Sequence, residues 1–161
     1  MAMNKISLIG IGKLGLCLAL TLEKSGYDVL GCDVNIDYVN SINSRTLKSD
    51  EQGVSELLSK SKNLRATLNL KECLSHSDNI FVLVATPSLP NGKYDHSQVD
   101  SVVEQIRSFG AQERRKHLVI CCTTMPKYCE SIRESLEPLN FSVSYNPVSY
   151  THLTLPTKWI V

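Results

Sequence analysis

Long apolar runs are missing from this 161-residue chain, and no stretch approaches the ~18 residues that a membrane-spanning helix needs. An excess of one charge is missing too. Seventeen Lys and Arg against sixteen Asp and Glu leave a formal net charge of +1, so nothing electrostatic points to nucleic acid or to an anionic membrane as a partner. The amino terminus lacks a secretory signal pattern, which makes the cytoplasm the expected location. No internal repeat or low-complexity segment is present. Six cysteines occur, at 17, 32, 73, 121, 122 and 129, without the C-x-x-C or Cys/His spacing of zinc sites, so no metal is expected. Cys17, Cys32, Cys121 and Cys122 fall in predicted helix or strand interiors, where a free thiol acts as a small buried hydrophobe. The basic run Arg114-Arg115-Lys116 reads as a solvated loop before a strand. With 42% hydrophobic residues, the chain can fill a single core, and its length suggests one domain.

What is present is concentrated near the start. The apolar run Ile6-Ser7-Leu8-Ile9 leads into Gly10-Ile11-Gly12-Lys13-Leu14-Gly15. A helical stretch follows, then a second apolar run, Val29 to Cys32, that ends on Asp33. Strand, glycine turn, helix, strand and acid form the order a dinucleotide site requires. Gly10 permits the tight turn, Gly12 lets the backbone approach a pyrophosphate, and Gly15 allows close packing of helix on sheet. The helix start offers free N–H groups and a partial positive charge to phosphates. Leu14, Cys17, Leu18 and Leu22 have helical spacing and are expected to form the buried face, with Gly26 as the stop. Asp33 stands at about the ~20-residue distance expected of an acid that binds adenosine ribose hydroxyls. A carboxylate there repels a 2′-phosphate and so favours NAD over NADP.

Downstream, short helices are predicted over 38–43, around Val54, Leu57 and Leu58, and over 72–76, with a third strand over 64–68. The run Ile80 to Ala85 reads as a strand buried on both faces. A helix over 97–109, a strand over 118–122, a helix over 126–136 with Pro126 in its first turn, and a sixth strand over 141–145 complete the pattern. The alternation predicts an α/β, Rossmann-like, doubly wound parallel sheet of six strands in a single domain. Ligands of such sheets sit beyond the carboxyl ends of the strands, near the reversal of strand order. Gly10 to Gly15, Asp33, Thr86-Pro87 and Thr123-Thr124 all follow predicted strand ends and are expected at one edge.

These segments resemble the N-terminal domain of the UDP-glucose/GDP-mannose dehydrogenase family, the nucleotide-sugar 6-dehydrogenases. The likeness rests on Lys5 to Leu16, Gly31-Cys32-Asp33, Glu51-Gln52-Gly53 before Leu57-Leu58, and Ala85-Thr86-Pro87-Ser88. It continues through Gly92-Lys93-Tyr94-Asp95, Cys122-Thr123-Thr124-Met125-Pro126 and Tyr145-Asn146-Pro147. The resemblance implies a cytoplasmic enzyme that oxidises the C6 alcohol of a UDP- or GDP-sugar to a carboxylate with two NAD, as a homodimer when full length. It implies cofactor contacts at Gly10, Ile11, Gly12, Lys13, Leu14, Gly15, Asp33, Thr86, Pro87 and Thr123. Thr123 also takes a catalytic role near the nicotinamide, helping to hold a water. Three positions depart from the family: Cys122 replaces a frequent Ser, Lys127 a usual Gly, and Tyr38 a frequent Lys or Arg. The family's nucleophilic cysteine and catalytic lysine belong to a later domain, so none of the six cysteines is assigned that role, and no turnover is expected of this chain alone.

Residues 1–147 are therefore expected to be the NAD-binding domain. From Val148 to Thr157 the sequence resembles the translation of a transposase adapter used in short-read library preparation, and 148–161 are expected to be foreign. Two other readings compete. One is a different NAD-dependent hydroxyacid or hydroxyacyl dehydrogenase, which the segments at 92–95 and 122–126 oppose. The other is a non-catalytic nucleotide sensor built on Cys121-Cys122, although adjacent strand cysteines point to opposite faces.

Overall fold

The computed structural model describes residues 4–147. Six strands and six α-helices follow one another among the described residues: β1 (Lys5–Ile9), α1 (Lys13–Lys24), β2 (Asp28–Cys32), α2 (Ile36–Asn43), α3 (Val54–Lys60) and β3 (Arg65–Thr67). The second half contains α4 (Leu70–His76), β4 (Asn79–Val82), α5 (Ser97–Phe109), β5 (Lys116–Ile120), α6 (Tyr128–Leu136), a 3-10 turn and β6 (Phe141–Tyr145). All strands pair in parallel in the order β3-β2-β1-β4-β5-β6, the doubly wound arrangement expected from the alternation. The strand order reverses between β1 and β4.

Strand residues alternate between two cores. Leu8 and Val29 face α1, α2 and α3, whereas Ile9, Leu30, Ile80 and Leu118 face α4, α5 and α6. α1 stops where Gly26, at φ +91°, donates to the Glu23 carbonyl and Tyr27 donates to that of Leu22. This is the paired 5→2 and 6→1 closure that glycine permits.

Several expectations are corrected. The buried stripe of α1 is Gly15, Leu16, Ala19 and Leu20, while Cys17, Leu18 and Leu22 are only half-buried. Small residues let the helix axis come near the sheet, so the bulkier leucines are pushed to its flanks. β4 ends at Val82, and Leu83 to Ala85 leave the ladder. β5 likewise ends at Ile120, which puts Cys121 and Cys122 after the strand, although both are buried. β3 is trimmed to three residues. α2 and α4 begin earlier than expected because Asn35 and Asn69 cap them, accepting from the amides of Tyr38 and Lys71. α6 starts at Tyr128, leaving Pro126 outside, because Lys127 adopts φ +69°. Lys116 is no loop residue: it is buried in β5 and its ammonium donates to the Ser77 carbonyl and to Asp78, both at 3.1 Å. The expected foreign tail at 148–161 lies outside the described residues.

Candidate functional site

Register brings the strand ends level. Ile9 pairs with Cys32 and with Val82, and Val82 pairs with Ile120. The residue after each strand still holds its neighbour: Gly10 donates to the Cys32 carbonyl (2.8 Å), Leu83 to that of Ile9 (2.7 Å), and Cys121 to that of Val82 (2.9 Å). Asp33 is fixed in the same way, its amide donating to Thr67 at 3.1 Å. Four chain segments therefore leave the sheet at one height and line a single cleft of about 1000 Å³.

The glycines have separate reasons to be glycine. A Cβ on Gly10, at φ +87°, would lie 2.8 Å from the Leu83 backbone, because the turn touches the β4 extension at the strand-order reversal. A Cβ on Gly15 would collide with the Gly10 carbonyl, so this glycine serves the turn itself. A Cβ on Gly12 would meet nothing within 4 Å; it would project into the open cleft. α1, starting just beyond Gly12, has no side-chain cap and no acid in its first turn, unlike α2 and α4. Its first N–H groups are thus left for an anion.

Asp33 points at the turn. Its Oδ2 accepts from the Ile11 amide at 3.2 Å, and its Oδ1 from the Asn35 amide at 3.1 Å. The Tyr38 phenol is pushed up to about 12 by burial first, then by the charge of Asp33 and by Cys17. It stays neutral, and among the described residues no salt bridge is formed with the carboxylate.

Of the residues singled out from the sequence, Gly10, Gly12, Lys13, Leu14, Gly15, Asp33, Thr86, Pro87 and Thr123 line the cleft. The Ile11 side chain does not, being wholly buried beneath Gly31, and only its amide is used, by Asp33. Thr124 also stays out: its hydroxyl faces Cys129, and its amide donates to the Tyr145 hydroxyl at 3.3 Å. Sequence reasoning missed Val34 and Leu68, exposed apolar residues at the lip beside Asp33. It also missed Gln98, Ser101 and Gln105 on α5, although 98, 101 and 105 lie on one helical face, a signal that was available. Gln98 accepts from the Ala85 amide at 3.2 Å and so shapes the β4 extension. Burial pushes the Cys121 and Cys122 thiols up to about 11, so Cys122 meets the cleft as a protonated, weakly nucleophilic group.

The family model described as the UDP-glucose/GDP-mannose dehydrogenase family NAD-binding domain matches residues 4–151. The chain belongs to that family. A UDP-N-acetyl-D-mannosamine dehydrogenase of Methanococcus maripaludis is 35% identical over 141 residues, covering 85% of this chain and 32% of the relative. A GDP-mannose 6-dehydrogenase of Pseudomonas syringae is 29% identical over 124 residues, covering 75% and 28%. A crystal structure of a ternary complex of GDP-mannose dehydrogenase from Pseudomonas aeruginosa superposes with a TM-score of 0.81 at 27% identity, covering 89% of this chain and 36% of that one. The chain thus spans about a third of the length of these dehydrogenases and corresponds to their NAD-binding domain. NAD is the cofactor of this family domain, and the features around Gly12 and Asp33 suit it: an open approach, an uncapped helix start and an acceptor at the cleft mouth. Among the described residues, no helix is long and apolar enough to cross a membrane.

Proposed function

We propose that this chain binds NAD for a nucleotide-sugar 6-dehydrogenase that oxidises the C6 alcohol of a UDP- or GDP-linked sugar to a carboxylate. The match to the family domain over residues 4–151 carries this reading, and the cleft geometry supports it. Gly10 to Gly15 and the start of α1 cradle the diphosphate, Gly12 by leaving room and the free amides by donating. Asp33 accepts from the ribose hydroxyls and repels a 2′-phosphate. Thr86, Pro87 and Thr123, on the extensions of β4 and β5, border the nicotinamide end, and Thr123 helps hold a water there. When bound, NAD accepts hydride; converting alcohol to carboxylate uses two NAD and one water. The protein's part in this cleft is orientation, because hydride transfer needs the reacting carbon close to the nicotinamide and aligned with it. The nucleophilic cysteine that the second oxidation of this family requires belongs to a later domain, so the chain alone binds NAD without turnover.

We further propose that the full-length enzyme is a cytoplasmic homodimer and that 148–161 are foreign to it. The test is to read the uninterrupted gene past codon 147 and to assay its product with UDP- and GDP-sugars while following NADH. A downstream cysteine flanked by glycine and by proline-lysine, with NADH formed on a nucleotide sugar, is the expected result. A natural stop near codon 147 would overturn the reading and revive the sensor.

A further inference from the structure

His96, next to the cleft-lining Ser97, ties together two segments. It sits at the cap position of α5, and its Nε2 accepts from the Met125 amide at 3.3 Å. Its ring stacks on Tyr128, with centroids 3.8 Å apart and planes 24° from parallel. The Tyr128 hydroxyl donates to Asp100 at 2.5 Å, and the Asp100 amide donates to the His96 carbonyl at 2.8 Å. The result is a closed ring of contacts joining α5, α6 and the segment between β5 and α6. That segment carries Thr123 two residues before Met125, and it is also held by the Thr124 amide bond to Tyr145, the Thr124 hydroxyl contact with Cys129 and the Tyr128 amide bond to the Met125 carbonyl.

A ring nitrogen accepts a hydrogen bond only when it carries no proton. The bond from Met125 therefore requires Nε2 to be bare. Charged and titratable groups lie around the ring. Asp95 precedes it in the chain, and Asp100 lies across Tyr128. Tyr128 is neutral, with burial and Asp100 pushing its phenol far up, and Cys122 and Cys129 lie behind it. Lys127, the nearest cation on this segment, is exposed. Protonating the ring removes the acceptor and breaks this bond, which makes the contact a two-state element.

We propose that His96 is a positioning residue whose neutral imidazole latches the Thr123 segment onto α5, and that protonating it opens the latch and loosens NAD. The link to NAD rests on the proposed contact at Thr123; the latch itself does not. Histidine changes charge between about pH 5 and 8, which sets the window. The test follows the Met125 amide by NMR in the whole 15N-labelled chain across that window, with NAD titrated at each end. In the wild type, Met125 protection from exchange, corrected for intrinsic rates, should fall about tenfold or more from pH 8 to pH 5, while amides of β1 and β4 keep theirs. NAD affinity should fall about threefold or more over the same range. His96→Gln, which keeps an acceptor that does not titrate, should hold both flat; His96→Phe, which keeps only the stack, should lack Met125 protection at either pH. Protection that ignores pH in the wild type, or that survives in His96→Phe, overturns the latch. A latch that titrates with NAD affinity unchanged upholds the latch and overturns the contact at Thr123.

Discussion

Asp33 and Ile11 are joined across 22 residues by a hydrogen bond from the Ile11 amide to the Asp33 Oδ2 at 3.2 Å. The acid at the end of β2 thus fixes the middle of the glycine turn after β1, while its other oxygen accepts from the Asn35 amide and the residue lines the cleft. On the proposed reading, the carboxylate that braces the turn also discriminates between the cofactors. Asp33→Asn should therefore weaken NAD by about 10- to 100-fold, the range for losing a charged hydrogen bond of about 1.5–3 kcal/mol, and should shrink the preference over NADP. Titration of the variant with both cofactors measures the two effects.

Gly10 and Gly12 should separate stability from binding. Gly10→Ala meets the Leu83 backbone at 2.8 Å with a left-handed φ, and should cost about 2–4 kcal/mol in chemical denaturation. Gly12→Ala projects into open space at an ordinary φ of −56° and should leave stability within about 0.5 kcal/mol. It should nevertheless weaken NAD about tenfold or more, because the methyl stands where the diphosphate approaches.

Lys127 holds φ +69° at the start of α6, where the backbone favours glycine. Arg45, at φ +61°, is different: its guanidinium bonds the carbonyls of Ile42, Ser61 and Leu64. Lys127→Gly should raise stability by about 0.5–1 kcal/mol, the left-handed penalty less the entropy glycine adds to the unfolded chain. Arg45→Gly should lower it. Paired denaturation curves decide both.

Glu23 should add an acid-side dependence. Burial alone would raise its carboxyl, but the amides of Asn63 and Lys62, donating at 2.6 and 2.7 Å, outweigh that and hold it below its ordinary value. A lowered folded value means the stabilisation is present above the unfolded value and is lost as pH falls through the folded one. The stability gap between wild type and Glu23→Gln should be below about 1 kcal/mol near neutrality, since the group is half-exposed, and should close below about pH 4. Urea denaturation at a series of pH values checks it.

Legibility in the sequence followed the physics of each segment. α5 ran over the predicted 97–109 because Val99, Val102, Val103 and Ile106 form one unambiguous stripe. α1 carries leucine at 14, 16, 18, 20 and 22, so apolarity cannot phase it; Gly15 and Ala19 do, by permitting close approach. Strand ends were overrun at Ala85 and Cys122 because apolar residues that line a cleft read like those that line a core. The turn and Asp33 were readable since glycine and a carboxylate have few other reasons to stand there. His96 gave no signal, because its partners, Met125 and Tyr128, lie about thirty residues away in the chain.

On the proposed reading, the carboxylate at position 33 selects the cofactor held by the turn at 10–15. Calorimetric titration of the chain with NAD and with NADP tests it directly. One site per chain and clearly tighter binding of NAD are expected. Equal affinity, or a preference for NADP, would contradict it.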